Sequence, residues 1–238
     1  MRRGNEDRLA LAIKKLEKLD SLATRTAPED VSLLITLALA VATDYRRSSI
    51  HNRLNQLAEL NSSYRARLAR YGRVQYNRGR GILWASQECG FDKLLQDSSF
   101  ALCTPTGSGK TLIANLAIIK ELLLKDQDGI EPLALYLVPS RALAGEVEAK
   151  LTSELGDDFV ITGLYGGSDW GITDYWLDAD KPTVLIATVE KADALMRYLG
   201  RFLVSRLKLL IIDEAHQVVS DGSENARTEF AEHGSRSL

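Results

Sequence analysis

The sequence predicts an α/β fold in which helices cover both faces of a parallel sheet, preceded by a small all-α domain. Two observations support this. From residue 99 onward, apolar runs of strand length alternate with apolar runs of helix length, a pattern typical of a parallel sheet. Before residue 75 the apolar residues recur only at helical spacing. We therefore expect a helical accessory domain over 1–75 and an α/β domain over 76–238.

The N-terminal third reads as three helices. Leu9, Ile13, Leu16 and Leu19 recur at the spacing of one helix face. A charge-free apolar run over 31–43 follows Pro28 and two acidic residues; it is too short to cross a bilayer and predicts a core helix. A third helix is predicted over 49–71.

The elements of the α/β domain follow in order. The predicted strands cover 99–103, 133–138, 159–164, 183–188 and 207–212, and the predicted helices cover 110–125, 141–155 and 189–200. A ligand of such a sheet is expected at the carboxyl ends of its strands.

A glycine-rich loop, TPTGSGKT at 104–111, joins the first predicted strand to a helix. Glycines let the backbone approach phosphate oxygens, and the amides at the helix start point at negative charge. Lys110 would supply positive charge to the terminal phosphates, and the Thr111 hydroxyl would ligate Mg2+. The alternative is a glycine turn that binds nothing. The residues expected to hold a nucleotide here are Thr106, Gly107, Ser108, Gly109, Lys110 and Thr111.

A second motif, Asp213-Glu214-Ala215-His216, follows the last predicted strand. A carboxylate at the carboxyl end of a strand suits a metal held together with Thr111, so Asp213 is the expected metal residue. Glu214 would position and deprotonate the attacking water in nucleotide hydrolysis. Taken alone, two acidic residues after a strand are equally typical of a solvated loop.

These motifs resemble those of the superfamily 2 DEAD/DEAH-box helicases, in particular the Ski-like branch and, within it, helicases of bacterial anti-phage defence of the Hachiman type. The resemblance runs from about residue 83 to residue 216 and implies the N-terminal RecA-like lobe of an ATP-dependent helicase or translocase. TPTGSGKT is similar to helicase motif I, and IIDEAH at 211–216 is similar to motif II.

Three weaker matches imply further site residues. VPSRALAGE at 138–146 and IATVEK at 186–191 resemble motifs that contact a nucleic-acid backbone, which implies that role for Arg141, Thr188 and Lys191. Trp84-Ala85-Ser86-Gln87 resembles the Q motif, in which Gln87 would read the adenine of ATP. The alternatives are a solvated first-turn arginine, an ordinary helix cap at 188–191 and a surface amide at Gln87.

The charges are unevenly distributed. The first 80 residues hold 16 basic and 8 acidic side chains, whereas the remainder holds 14 and 24. Six arginines and three tyrosines fall between Asn61 and Gln87 without an acidic residue among them. This stretch fits either a strip that tracks a phosphate backbone with aromatic stacking, or a solvated helix face whose tyrosines pack inward.

In the family, the strand after motif II inserts between the strands that carry motifs I and II, and a second lobe supplies an arginine finger. Residues after His216 show no strand pattern, so we expect an incomplete sheet, a fragment of a longer helicase and negligible turnover by the chain alone. Its expected partners are ATP, Mg2+, nucleic acid (DNA rather than RNA), the second lobe and a protein bound by the N-terminal helices.

Composition narrows the classes of protein. Two cysteines, Cys89 and Cys103, lie in or beside apolar runs and are predicted to be buried free thiols, and three scattered histidines form no metal motif. With no secretory signal or membrane segment, the expected location is cytoplasmic. The alternative functions are a non-hydrolysing, nucleotide-gated binding module for nucleic acid or protein, and a transport or signalling P-loop ATPase.

Overall fold

A computed structural model describes residues 5–105, 109–125, 131–164, 176–177 and 179–218. The chain divides into two compact units, Met1–Asp126 and Gln127–Leu238. The domain boundary predicted from the sequence, between residues 75 and 76, stays a prediction.

In its described residues, the first unit has helices as its regular elements, with one isolated antiparallel bridge between Ser49 and Ile82. Its helices are α1 (Glu6–Thr26), α2 (Glu29–Ser48), α3 (Ile50–Leu60), α4 (Arg65–Asn77), α5 (Ala85–Leu95) and α6 (Lys110–Ile119), the last continued by a π-helical turn over Lys120–Leu124.

The prediction that residues 31–43 form a core helix is wrong. They lie within α2, which pairs with α1 but has no buried residue; Leu34 is 67% exposed and Val41 is 69% exposed. The reason is that α1 covers one side of α2, and no other described residue buries the opposite side.

The single helix predicted over 49–71 is two helices. The chain breaks at Asn61, whose backbone is extended at φ −152° and whose side chain accepts hydrogen bonds from the amide and hydroxyl of Ser63. Asparagine competes with the helix by bonding nearby backbone groups, and α4 therefore begins in a new direction.

In the core of the first unit, α3 packs on α4 and on the π-helical turn that continues α6, and α5 packs on α6. Leu57 and Leu116 are fully buried, and the Asn115 amide donates to the Tyr71 hydroxyl at 3.3 Å. The strand predicted over 99–103 does not form; Phe100 is exposed, and Cys103 and Cys89 are free and exposed rather than buried. A strand needs a neighbouring strand for its backbone groups, and the described residues of the first unit contain no strand that could pair with this segment.

A buried lysine fixes the far end of the α6 segment. The Lys120 side chain is 2% exposed, and its ammonium donates to the Leu94 carbonyl at 2.6 Å and to the Asp97 carboxylate. Lys125 also donates to Asp97, at 2.7 Å. Buried charge is stable only when it is paired, so this cluster holds the end of α5 to the helix that follows the glycine-rich loop.

The second unit is a four-stranded parallel sheet with the order β2-β3-β1-β4. Its strands are β1 (Leu133–Val138), β2 (Val160–Leu164), β3 (Thr183–Thr188) and β4 (Leu207–Ile212). Helices α7 (Arg141–Leu155) and α8 (Val189–Arg206) connect them, and a four-residue helix, α9 (Ala215–Val218), follows β4. Four of the five predicted strands are thus confirmed. The helices predicted over 141–155 and 189–200 also form, and α8 extends beyond its predicted end at residue 200.

The central strands β1 and β3 are buried on both faces. Leu133, Leu135 and Leu185 on one face pack with Leu195 and Leu203 of α8, while every residue of β3 is buried. Continuous apolar runs of this kind are typical of parallel strands covered on two sides. The sheet therefore holds the carboxyl ends of its strands in fixed positions.

Two further observations hold for all the described residues. In the described ranges, no helix combines the length and apolarity needed to span a bilayer. In the same ranges, no group of three or more His, Cys, Asp or Glu side chains is placed to hold a metal ion.

The Lys120 cluster predicts a stability loss in acid. The hydrogen bond from Lys120, with help from Lys125, lowers the pKa of Asp97 from 3.8 to about 2. Because the folded-state pKa is lowered, this stabilisation is present above about pH 4 and disappears as the pH falls towards 2. With Asp97 more than half exposed, we expect Asp97→Asn to lower the free energy of unfolding by only about 1 kcal/mol at neutral pH, as measured by urea unfolding.

The matched control is Asp44→Asn. Asp44 pairs with Arg47 on the surface, both being about 70% exposed, so its replacement should change stability by well under 1 kcal/mol. An Asp97→Asn deficit that persisted unchanged at pH 2 would contradict the role given to the carboxylate.

Candidate functional site

The glycine-rich loop meets α6 in a left-handed backbone turn at a glycine. Gly109 precedes the helix with φ +80°, a conformation that residues with side chains rarely adopt. The Lys110 ammonium donates to the Thr104 carbonyl at 3.2 Å, which folds this side chain back over the loop. Thr111 lies in the first turn of α6. Predicted residues Thr106, Gly107 and Ser108 lie outside the described residues.

Gln87 ties the start of α5 to this loop. Its amide oxygen accepts from the Trp84 backbone amide at 2.9 Å, and its amide nitrogen donates to the Gly109 carbonyl at 3.0 Å. The side chain is 5% exposed, so the surface-amide alternative is wrong. A Cβ on Gly109 would displace the end of the Gln87 side chain, and the φ of +80° disfavours any residue that has a side chain. Gln87 keeps one N–H and one lone pair for a ligand.

Asp213 is held at the carboxyl end of β4. Its backbone amide donates to the Leu137 carbonyl at 2.9 Å, extending the sheet by one residue. Its carboxylate accepts from the Tyr136 hydroxyl at 3.1 Å on one oxygen and from the Glu214 amide at 3.0 Å on the other. Two donors from different parts of the unit thereby fix the orientation of the carboxylate.

Tyr136 is the residue that sequence reasoning missed. It lies in β1, is 2% exposed, and reads in sequence as one more apolar strand residue. Burial first, and then the negative charge of Asp213, raise the pKa of Tyr136 far above its usual value. The phenol therefore keeps its proton and remains a donor to Asp213. The signal available in the sequence was one tyrosine in an otherwise apolar strand, because a buried tyrosine hydroxyl usually has a hydrogen-bond partner.

Glu214 adopts an uncommon backbone conformation. Its φ of +47° lies in the left-handed region, which costs free energy for a residue with a side chain. His216 lies 3.4 Å from the Glu214 carboxylate through Nδ1. The turn gives the two adjacent acidic residues different surroundings. Asp213 is hydrogen-bonded to the sheet, whereas Glu214 lies in the turn that follows the sheet.

The three residues expected to contact nucleic acid also lie at this edge. Val138 and Thr188, the last residues of β1 and β3, face each other in the parallel register. Arg141 is the exposed first residue of α7, and Lys191 lies in the first turn of α8. Thr188 occupies the N-cap position of α8, as the capping alternative requires, but its hydroxyl bonds to Glu190.

Glu190 links this group electrostatically. The pKa of its carboxyl is lowered by a hydrogen bond from its own backbone amide, then by one from Thr188, and also by the positive charge of Arg141. Arg141 and Thr188 therefore both interact with the Glu190 carboxylate. Within the second unit, the structure thus brings Asp213, Arg141 and Thr188 to the same edge of one sheet.

The donor chemistry of the acidic motif fits magnesium. Mg2+ prefers hard oxygen ligands, and each oxygen of the Asp213 carboxylate keeps a lone pair beyond the hydrogen bond it accepts. In the first unit, the Thr111 hydroxyl is an oxygen of the same kind at the start of a ten-residue helix. Helix N-termini favour negative charge such as phosphate.

Comparison with known proteins identifies the family. The DEAD/DEAH box helicase family model matches residues 84–235, well over half of the chain. The chain belongs to the DEAD/DEAH box helicase family. The match begins at the Trp84-to-Gln87 segment and includes the glycine-rich loop and the Asp213 motif, so each of these features occupies a family position.

Individual relatives share this region. Hachiman protein HamB of Bacillus cereus is 36% identical over 135 residues, which cover 56% of this chain and 12% of HamB. ATP-dependent DNA helicase Hel308 of Pyrococcus horikoshii is 36% identical over 139 residues, 58% of this chain and 18% of the relative. DExH-box ATP-dependent RNA helicase DExH12 of Arabidopsis thaliana is 33% identical over 129 residues, 52% of this chain and 6% of the relative. The matched region is thus less than a fifth of each relative's length.

The Tyr136 hydrogen bond to Asp213 predicts a measurable coupling. Tyr136→Phe removes a buried donor to a carboxylate, so we expect the free energy of unfolding to fall by about 1 to 2 kcal/mol. In a double-mutant cycle with Asp213→Ala, measured by urea unfolding, the two losses should overlap by about 1 kcal/mol.

The control is Tyr198→Phe, because Tyr198 is 79% exposed on α8. This change should have almost no effect and no coupling to Asp213. Strictly additive effects of Tyr136→Phe and Asp213→Ala would show that the hydrogen bond contributes nothing to the folded state.

Proposed function

We propose that this chain is the ATP-binding part of an ATP-dependent nucleic-acid helicase or translocase, in which ATP binding and hydrolysis drive movement along a strand. The observation that carries the proposal is the carboxyl edge of the sheet, where the Asp213 carboxylate is fixed by Tyr136 and lies at the same edge as Arg141 and Thr188. A metal-binding group and phosphate-contacting groups on one rigid edge suit the coupling of hydrolysis to nucleic acid.

On this proposal, ATP is held by the glycine-rich loop and the start of α6. Lys110 would neutralise the terminal phosphates, and the Thr111 hydroxyl and the Asp213 carboxylate are the groups that would hold Mg2+. When bound, Mg2+ stabilises the charge that develops on the transferred phosphoryl group. Gln87, through its spare N–H and lone pair, would distinguish adenine from guanine while staying bonded to Gly109.

Glu214 is the proposed general base. It lies in the turn that follows β4, and a carboxylate there could orient a water molecule and accept its proton. A nucleotide-gated binding module without hydrolysis is the second candidate, and a pure sensor needs no water-activating carboxylate. The presence of both Asp213 and Glu214 favours the enzyme.

Arg141, Thr188 and Lys191 are the proposed contacts to the nucleic-acid backbone. Names of relatives include both a DNA helicase and an RNA helicase. Two of the relatives with the higher identity are the Hachiman protein and the DNA helicase, which favours DNA and a role in defence for this chain. Contacts to phosphate position a strand without reading its sequence.

Glu214→Gln separates the enzyme from the sensor. The substitution keeps the size of the side chain but removes its basicity, so we expect single-turnover hydrolysis of radiolabelled ATP, which is slow even in the wild-type chain, to fall by a further factor of about 100 or more. Affinity for a fluorescent ATP analogue with Mg2+ should stay within about twofold, because the phosphate loop is intact.

Lys110→Ala is the companion variant. It should weaken ATP binding itself, because it removes the positive charge beside the terminal phosphates. Equal hydrolysis by wild type and Glu214→Gln would support the sensor.

Arg141→Ala tests the nucleic-acid edge. Loss of one phosphate contact should weaken the binding of a fluorescein-labelled oligothymidylate by about fivefold, whatever its sequence, and make the binding less dependent on salt. Anisotropy titrations at several salt concentrations measure both quantities.

Arg197→Ala removes another exposed arginine, which pairs with Asp193 on α8, and it serves as the control. Unchanged affinity in Arg141→Ala would favour a P-loop ATPase of another class, such as one for transport or signalling.

A further inference from the structure

Helix α2 is apolar on two opposite sides. On one side, Ile35, Leu39 and Ala42 are partly buried; this side faces α1, because the neighbouring Thr36 hydroxyl donates to the Asp20 carboxylate of α1 at 2.5 Å. The other side carries five apolar residues at helical spacing, which we call the α2 stripe: Leu33, Leu34, Leu37, Ala40 and Val41. All five are exposed in the described structure, the four large side chains by more than half. A helix that is apolar on both sides is normally buried on both, so the α2 stripe suits an apolar partner.

The α2 stripe is large enough for a weak interface between two copies of the chain. A large apolar side chain removes roughly 100 Å² from water when it is buried, so the stripe contributes roughly 400 to 500 Å² from each copy. Two copies together would bury about 1,000 Å², the lower end of the range for specific interfaces. We therefore expect an association that depends on protein concentration.

The two ends of α2 carry opposite charges. Glu29 and Asp30 lie in its first turn, and Arg46 and Arg47 lie in its last. Glu29 and Arg47 are 18 residues apart, which is five turns of an α-helix, so both lie along the same line beside the stripe. Asp44, near the basic end, is paired with Arg47 at 3.4 Å. The charges therefore give the exposed side of α2 a direction.

A second copy in antiparallel orientation matches both the apolar and the charged features. A two-fold axis at Ala38, midway between Glu29 and Arg47, brings Glu29 of each copy against Arg47 of the other. The same axis lies within the stripe, so the two stripes overlap along most of their length. A parallel pair would instead place Glu29 beside Glu29 and Arg47 beside Arg47. A lipid surface offers no matching partner for both ends, because anionic headgroups repel Glu29 and Asp30.

We infer that the α2 stripe is a self-association surface, through which two copies of this chain pair with α2 antiparallel to α2. In the pair, each α2 is covered by α1 on one side and by the partner's α2 on the other. The surface lies within the first unit and requires neither ATP nor Mg2+.

The first experiment measures the mass of the full 238-residue chain by sedimentation velocity, from about 1 μM to about 100 μM. We expect the average mass of the wild type to rise with concentration from one chain towards two. Leu34→Glu/Leu37→Glu places two charges in the stripe and should weaken association by at least about tenfold, because a charge is costly to bury.

The matched control is Leu11→Glu/Leu22→Glu. These two leucines of α1 are about as exposed as Leu34 and Leu37, but they lie on the side of α1 opposite the buried Ile13. This variant should associate as the wild type does. Equal weakening of association in the two double variants would overturn the inference.

A charge exchange tests the orientation and stays informative if the stripe variant does not fold, as judged by circular dichroism. Glu29→Arg or Arg47→Glu alone puts like charges together at both ends of the antiparallel pair, so each should associate about fivefold more weakly than the wild type. An equimolar mixture of the two variants restores opposite charges at both ends and should recover wild-type association. In a parallel pair neither variant would associate more weakly than the wild type, and that result would overturn the inference.

A wild-type chain that stays monomeric up to about 100 μM would also overturn the inference. The stripe would then be left to a different protein, to a membrane or to another part of this chain. These outcomes do not depend on the proposed ATPase, because Glu214→Gln leaves the α2 stripe unchanged. Failure of one proposal is therefore distinguishable from failure of the other.

Discussion

The parallel pairing of β1 with β3 and with β4 is the constraint on which the candidate site depends. Parallel strands end at the same edge, so this register places Thr188 beside Val138 and carries Asp213 into a hydrogen bond with Leu137. Close packing of β1 and β3 against α7 and α8 holds this register, because a shift of one residue would exchange side chains of different size between the two buried faces. The positions of the site residues at this edge therefore depend on the packing of the buried strands.

Orientation of the acidic residues adds a second level of control. Tyr136 and the Glu214 amide bind different oxygens of Asp213, and the left-handed turn at Glu214 separates the roles of two adjacent carboxylates. In the first unit, Gln87 performs a similar task for the glycine-rich loop by bonding Gly109. Both motifs are therefore supported by buried side chains that lie outside the motifs' most recognisable residues, a common arrangement where a site needs fixed geometry.

Much of this architecture follows from the sequence, and the exceptions have physical causes. Long apolar runs and helical periodicity predicted β1, β3, β4 and α7 to the residue. The strand expected over 99–103 failed because pairing, unlike hydrophobicity, needs a neighbour. Asn61 split a predicted helix by bonding its own backbone, and α2 is exposed because apolar composition does not say which faces find partners. Tyr136 and the Gln87–Gly109 bond arise from long-range contacts that no local pattern contains.

We propose that the glycine-rich loop and the acidic motif serve one magnesium-bound ATP. The most direct test is a crystal structure of the chain with Mn2+ in place of Mg2+ and a non-hydrolysable ATP analogue, using anomalous scattering to locate the ion. The account predicts an ion at about 2 Å from the Thr111 hydroxyl oxygen, with Asp213 bound to it directly or through one water molecule. An ion at the phosphates with the Asp213 carboxylate on a remote surface would contradict it.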